Sequence, residues 1–167
     1  MTSHRSRTIL LCLTLLATGL AAASAKDNAK NNSKDTSTWS VINEKDQATL
    51  RYGDDSEESV VVFSCKPHSD AVRIFVGETD ASLKPNEKAT GLISAGGQKA
   101  TLRGRTVPNE LAGVPSFIGS LPAADPLFAA LTASGELVIK VAKTRTVVPL
   151  KSIGGKGADF SKACRKS

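Results

Sequence analysis

Aromatic side chains are scarce in this chain, 4% of 167 residues, with one Trp and one Tyr. A surface that stacks nucleic-acid bases needs more aromatic rings than this, which argues against nucleic acid as a ligand. Histidine is scarcer still: His4 lies near the first residue and His68 is the only other. The cysteines Cys12, Cys65 and Cys164 show no C-x-x-C spacing, and no H-x-x-x-H occurs. A thiolate or imidazole metal site therefore fails on ligand count, and no cofactor is expected. G-x-S-x-G and S-x-x-K are absent too, which removes common serine-nucleophile arrangements. The stretches "SAGGQ" and "IGGKGADF" do not match G-x-x-x-x-G-K-[ST] and read as turns rather than phosphate loops.

Long hydrophobic runs are few. One, Ile9 to Leu20, follows Arg5 and Arg7 and is too short to cross a bilayer comfortably. With small residues at Ala23 and Ala25, residues 1–25 read as a secretory signal peptide cut after Ala25, and Cys12 leaves with it. Residues 26–38 hold no apolar side chain larger than Ala and read as a flexible leader. The remainder, 39–167, has the length of a single domain with a sizeable core. The expected location is periplasmic or secreted.

Cys65 and Cys164 then stand alone in an oxidising compartment, where thiols pair. A nucleophilic Cys65 lacks an orienting group beyond His68, three residues away in a short polar link. A disulfide between Cys65 and Cys164 is the expectation. It closes a loop of ~100 residues, worth up to ~4.7 kcal/mol in the chain-entropy account.

The pattern after Trp39 is mainly β. "WSVIN" and "ATLRY" flank "EKDQ" as a hairpin-like pair, and "SVVVFSC" (Ser59–Cys65) and "AVRIFVG" (Ala71–Gly77) are rich in β-branched and aromatic residues. "TGLISA" and "KATLRGR" are separated by "GGQ", a hairpin signal. "ADPLFAALTASG" is the clearest helix, with Asp125 as N-cap, Pro126 in its first turn, Gly135 past its end and a core stripe of Leu127, Phe128 and Leu131. "ELVIKVA" and "TVVPL" form a hairpin around "KTR", and "GADFSKACRK" closes the chain as a short helix with Phe160 and Cys164 on one face. The fold expected is an antiparallel β-sandwich or barrel-like domain. It carries a short helix before the last hairpin and a C-terminal helix joined to a central strand.

This order of elements, with its early Trp39, the strand ending "FSC" before "VRIFV", the "LF..L" helix before "ELVIKV" and the final "VVPL...G...F..AC", resembles small exported proteins of Gram-negative bacteria. The families it is similar to are the invasion-associated protein B family and the type VI secretion accessory protein VasI. The invasion-associated proteins carry more cysteines than the Cys65/Cys164 pair seen here. The resemblance implies a non-enzymatic domain of the cell envelope.

Charge is uneven. Between Lys99 and Lys166 the chain has eleven Lys/Arg against four Asp/Glu. Alternation along "KATLRGR" puts Lys99, Thr101, Arg103 and Arg105 on one face and Ala100 and Leu102 on the other. Lys99, Arg103 and Arg105 form a candidate anion-binding face, suited to an anionic glycan, lipopolysaccharide phosphate or an acidic envelope protein. The competing reading is an edge strand guarded by charge. Asp54, Asp55, Glu57 and Glu58 lack EF-hand spacing and read as a solvated acidic loop. The function expected is a structural or interaction module of the envelope. The alternatives are an inhibitor of an envelope or host hydrolase, with a rigid loop such as Thr79 to Glu87 entering the active site, and a hydrolase built on carboxylates that meet only in three dimensions.

Overall fold

The computed structural model describes residues 37–54, 59–131 and 135–166. The expected signal peptide (1–25) and all but the end of the expected leader (26–38) lie outside the described residues, as do Asp55, Glu57 and Glu58 of the expected acidic loop. Nine strands are described in chain order: β1 (Thr38–Asn43), β2 (Ala48–Gly53), β3 (Ser59–Cys65), β4 (Ala71–Val76), β5 (Lys88–Ala95), β6 (Gln98–Val107), β7 (Ser116–Pro122), β8 (Glu136–Val141) and β9 (Thr144–Pro149). Two helices join them, α1 (Pro126–Ala130) and α2 (Lys156–Cys164). The strands form one sheet in the order β1-β2-β3-β4-β7-β6-β5-β8-β9, with every neighbouring pair antiparallel. The sheet curls into a half-barrel. The barrel-like form of the expected fold is the one adopted.

Period-two alternation separates the two faces of the sheet. In β4 the sequence AVRIFV buries Val72, Ile74 and Val76 and turns Ala71, Arg73 and Phe75 outward. In β6, Leu102 and Thr106 point in while Lys99, Thr101, Arg103 and Arg105 are exposed. The inner face closes over α1 and α2. Phe63 of β3 meets Phe128 of α1 and Phe160 of α2 with ring centroids 6.3 and 6.4 Å apart, and Trp39 and Tyr52 extend this aromatic cluster. The few aromatics are thus spent almost entirely in the core; Phe75 alone faces outward, half-buried.

Two glycines permit a close approach of β6 and β7. Gly104 of β6 and Gly119 of β7 are register partners. A Cβ on Gly104 would collide with the Ile118 carbonyl, and one on Gly119 would lie 2.8 Å from the Phe117 ring. Side chains here would force the strands apart. β7 has no counterpart among the strands expected from the sequence: "SFIGSLP" buries Phe117, Gly119 and Leu121 and pairs Gly119 with Gly104.

Other boundaries shift by a residue or two. The turn between β8 and β9 is Ala142–Lys143, with Ala142 at φ 50°, so Thr144 and Arg145 belong to β9 rather than to the link. The β5–β6 turn is Gly96–Gly97, both at positive φ, as the sequence implies. Asp125 caps α1 by accepting from the Leu127 N–H at 2.9 Å. The helix ends at Ala130 with Leu131 as its C-cap, earlier than the end expected at Gly135, and residues 132–134 lie outside the described residues.

Candidate anion-binding face

The Cys65 and Cys164 sulfurs are 2.05 Å apart, with their Cα atoms at 5.7 Å. They are paired structural cysteines on the inner face. The link between β3 and β4 completes the same junction. His68 N–H donates to Ala163 O at 3.1 Å, Asp70 N–H donates to Cys164 O at 3.2 Å, and His68 Nδ1 lies 2.9 Å from Arg165 O. His68 is therefore an exposed turn residue at φ 59° that holds the end of α2. Asp70 accepts from the Lys166 N–H at 2.9 Å, with the Lys166 ammonium 3.5 Å away. That backbone hydrogen bond, aided by the ammonium, holds the Asp70 carboxyl below its ordinary 3.8. Asp80 is lowered likewise, chiefly by hydrogen bonds from Ser82 and then by the Lys143 N–H.

The inner polar side chains serve the fold. Thr79 Oγ1 donates to Pro115 O at 2.5 Å; Thr106 Oγ1 donates to Lys84 O at 2.5 Å and accepts from the Glu87 N–H at 3.1 Å. Ser116 Oγ donates to Gly77 O at 2.6 Å. Among the described residues no buried side-chain N or O lacks a partner, and no cluster of His, Cys, Asp and Glu could hold a metal ion. A cavity of about 810 Å³ opens at one rim of the half-barrel, lined by Val60, Phe75, Glu78, Asn109, Leu111 and Arg145 among others. Its Asn109 is occupied, donating to Gly77 O and Ser116 Oγ and accepting from the Ala112 N–H. Leu111 stands almost fully exposed beside it.

The outer face is different in kind. Lys99, Arg103 and Arg105 are exposed on β6 as the alternation implied. However, β6 lies inside the sheet between β5 and β7, so protection of an edge does not explain its charge. Register extends the array to strands that the sequence did not bring together. Arg105 faces Lys88 across β5. Arg73 and Arg103 flank Ser120 on either side of β7. Lys140 of β8 faces Arg145 of β9, with Leu92 of β5 as its other neighbour. Arg51 lies farther along the Arg105 row, past Phe75 and Val62, and donates to Ser40 Oγ at 3.2 Å. Glu136, at the start of β8, is the sole acid found at an outward strand position among the described residues. None of these cations pairs with a carboxylate among the described residues; the ion pair found there is Lys166–Asp70.

Comparison of the chain with protein-family profiles, with curated proteins and with solved structures finds no match. Among the described residues no helix is long and apolar enough to cross a membrane.

Proposed function

We propose that this protein is an exported, non-enzymatic module of the cell envelope, periplasmic or secreted, that acts by binding through its outer sheet face. The observation that carries this reading is the contrast between the two faces. Inside, every described buried polar side chain is committed to the fold; outside, cations from six strands stand without carboxylate partners among the described residues. Surplus charge of one sign at fixed positions is a means of recruiting an anionic partner. The paired cysteines support an oxidising compartment. The resemblance of the order of elements to the invasion-associated protein B and VasI families supports an envelope role. The test is affinity capture from envelope extracts with the purified protein, run beside an Arg103→Glu/Arg105→Glu variant. Recovery of an anionic glycan, lipopolysaccharide or acidic protein by the first and not by the second is expected. Equal recovery by both would remove the outer face from the reading.

One observation favours the inhibitor alternative. The connection from Gly77 to Glu87 is held at Thr79, Asp80, Lys84 and Glu87, while Lys84 to Glu87 stay exposed. A loop fixed before it meets its target loses little entropy on binding. Inhibition assays against envelope and host glycan hydrolases decide it, and a screen on glycan and ester substrates decides the carboxylate-hydrolase alternative.

A further inference from the structure

We propose that the outer face spanning β4, β7, β6, β5, β8 and β9 docks on an anionic membrane surface, its cations meeting the phosphates of lipid headgroups. This rests on the binding-module reading above and names the ligand. Two like-charge pairs point to it. Lys88 stands directly opposite Arg105, and Lys140 directly opposite Arg145, with all four side chains exposed. Like charges at opposed positions destabilise a sheet. A bound anionic surface turns that repulsion into attraction for each member.

The layout of the charge favours a surface over a single chain. With strands about 4.8 Å apart and outward positions about 7 Å apart, the array from Arg73 to Arg145 and from Lys99 to Arg105 extends roughly 24 by 20 Å along the curled sheet. The cations occupy it in two dimensions, as headgroup phosphates do. A linear polyanion is better served by a groove with aromatic platforms. This face is the convex side of the half-barrel, and its one aromatic residue, Phe75, is half-buried. Leu92, 58% exposed, stands beside Lys140 in the middle of the array. An apolar side chain set among cations is the composition of an interfacial contact, with the leucine entering the headgroup layer and the long Lys and Arg stems lying over it.

The experiment is co-flotation of the purified protein with phosphatidylcholine vesicles, with and without phosphatidylglycerol, across a salt series. Binding to the anionic vesicles alone, weakening steeply with salt, is expected. Arg103→Glu/Lys140→Glu removes two outward cations; at about fivefold per cation the loss is at least roughly 25-fold. Trp39 fluorescence checks that this variant is folded. Lys88→Glu gives a readout that a purely structural role would not produce: vesicle binding falls while resistance to urea rises, because attraction to Arg105 replaces repulsion. Equal binding to neutral vesicles, or variants that bind like the parent, would overturn the proposal. So would retention of dextran sulfate by a protein that ignores anionic vesicles, although the binding-module reading would then survive. If envelope capture fails as well, both readings fall together.

Discussion

Cys65 and Cys164, 99 residues apart in sequence, are joined at the point where the β3–β4 link meets the end of α2. The bridge is one part of a composite junction, with the His68 and Asp70 backbone N–H groups bound to the last carbonyls of the helix and Phe160 fully buried beside it. α2 has nine residues, too few to hold its shape alone.

Replacing Cys65 and Cys164 together with Ser should therefore cost about 2–5 kcal/mol and lower Tm by on the order of 10 °C. Because the hydrogen bonds of the link remain, the expected first effect is faster amide exchange in α2 rather than loss of the sheet. Exchange measurements on the variant check this. Thiol labelling of the native, unreduced protein should find Cys65 and Cys164 unreactive, and labelling of both would contradict the pairing.

Asp70 makes the same junction sensitive to acid. Its folded pKa is lowered, first by the Lys166 N–H and then by the Lys166 charge. A lowered carboxyl pKa means that the charged form is favoured in the folded state. Its stabilisation is thus complete above the ordinary value of 3.8 and disappears as the pH falls through the lower folded value. Asp70→Asn should be less stable than the parent near neutral pH, and the gap should close in strong acid. Urea titrations at several pH values measure it, and a gap independent of pH would refute the charge as its cause.

Gly104 and Gly119 carry a graded prediction. A methyl group at 104 meets backbone, the Ile118 carbonyl, while one at 119 meets the Phe117 ring and Leu102 Cβ at 2.8 and 3.0 Å. Backbone yields less readily than a side chain. Gly104→Ala should cost about 3 kcal/mol or more and Gly119→Ala about 1–2 kcal/mol. Urea unfolding followed by the single Trp, at position 39 and 1% exposed, ranks the two. Equal losses would mean that strand separation, not ring contact, sets both.

These glycines also mark where the sequence stops being readable. Runs such as "SVVVFSC" and "AVRIFV" declare themselves because alternation and β-branching are local properties. β7 does not, since "SFIGSLP" is short, is interrupted by Gly119 and ends in Pro122, and its place comes from pairing with β4 and β6. The same non-local step hid most of the cationic face. Lys99, Arg103 and Arg105 share a face by alternation within β6. Arg73 joins them because β7 inserts between β4 and β6, and Lys140 joins because β8 pairs with β5 rather than with β7. Strand order is decided by core packing and chain closure, which no short window of sequence contains.

Thr106 ties the connection between β4 and β5 to the end of β6. Its hydroxyl is buried at the end of β6, donates to Lys84 O and accepts from the Glu87 N–H, so that one side chain holds both shoulders of the exposed turn at Pro85 and Asn86. Thr106→Val keeps the volume and removes both bonds, leaving a donor and an acceptor of the connection unpaired. The expected cost is about 1–3 kcal/mol. The Asn86 N–H to Thr106 O bond at 3.0 Å survives the change, so the loop should loosen around Lys84 and Glu87 while the sheet register persists. Amide exchange should rise at Glu87 and leave β5 and β6 protected. If an inhibitory role resides in this loop, the variant should lose affinity for its hydrolase while binding anionic vesicles like the parent, because the outward cations of β6 are untouched. Loss of vesicle binding instead would show that the loop and the charged face act as one surface.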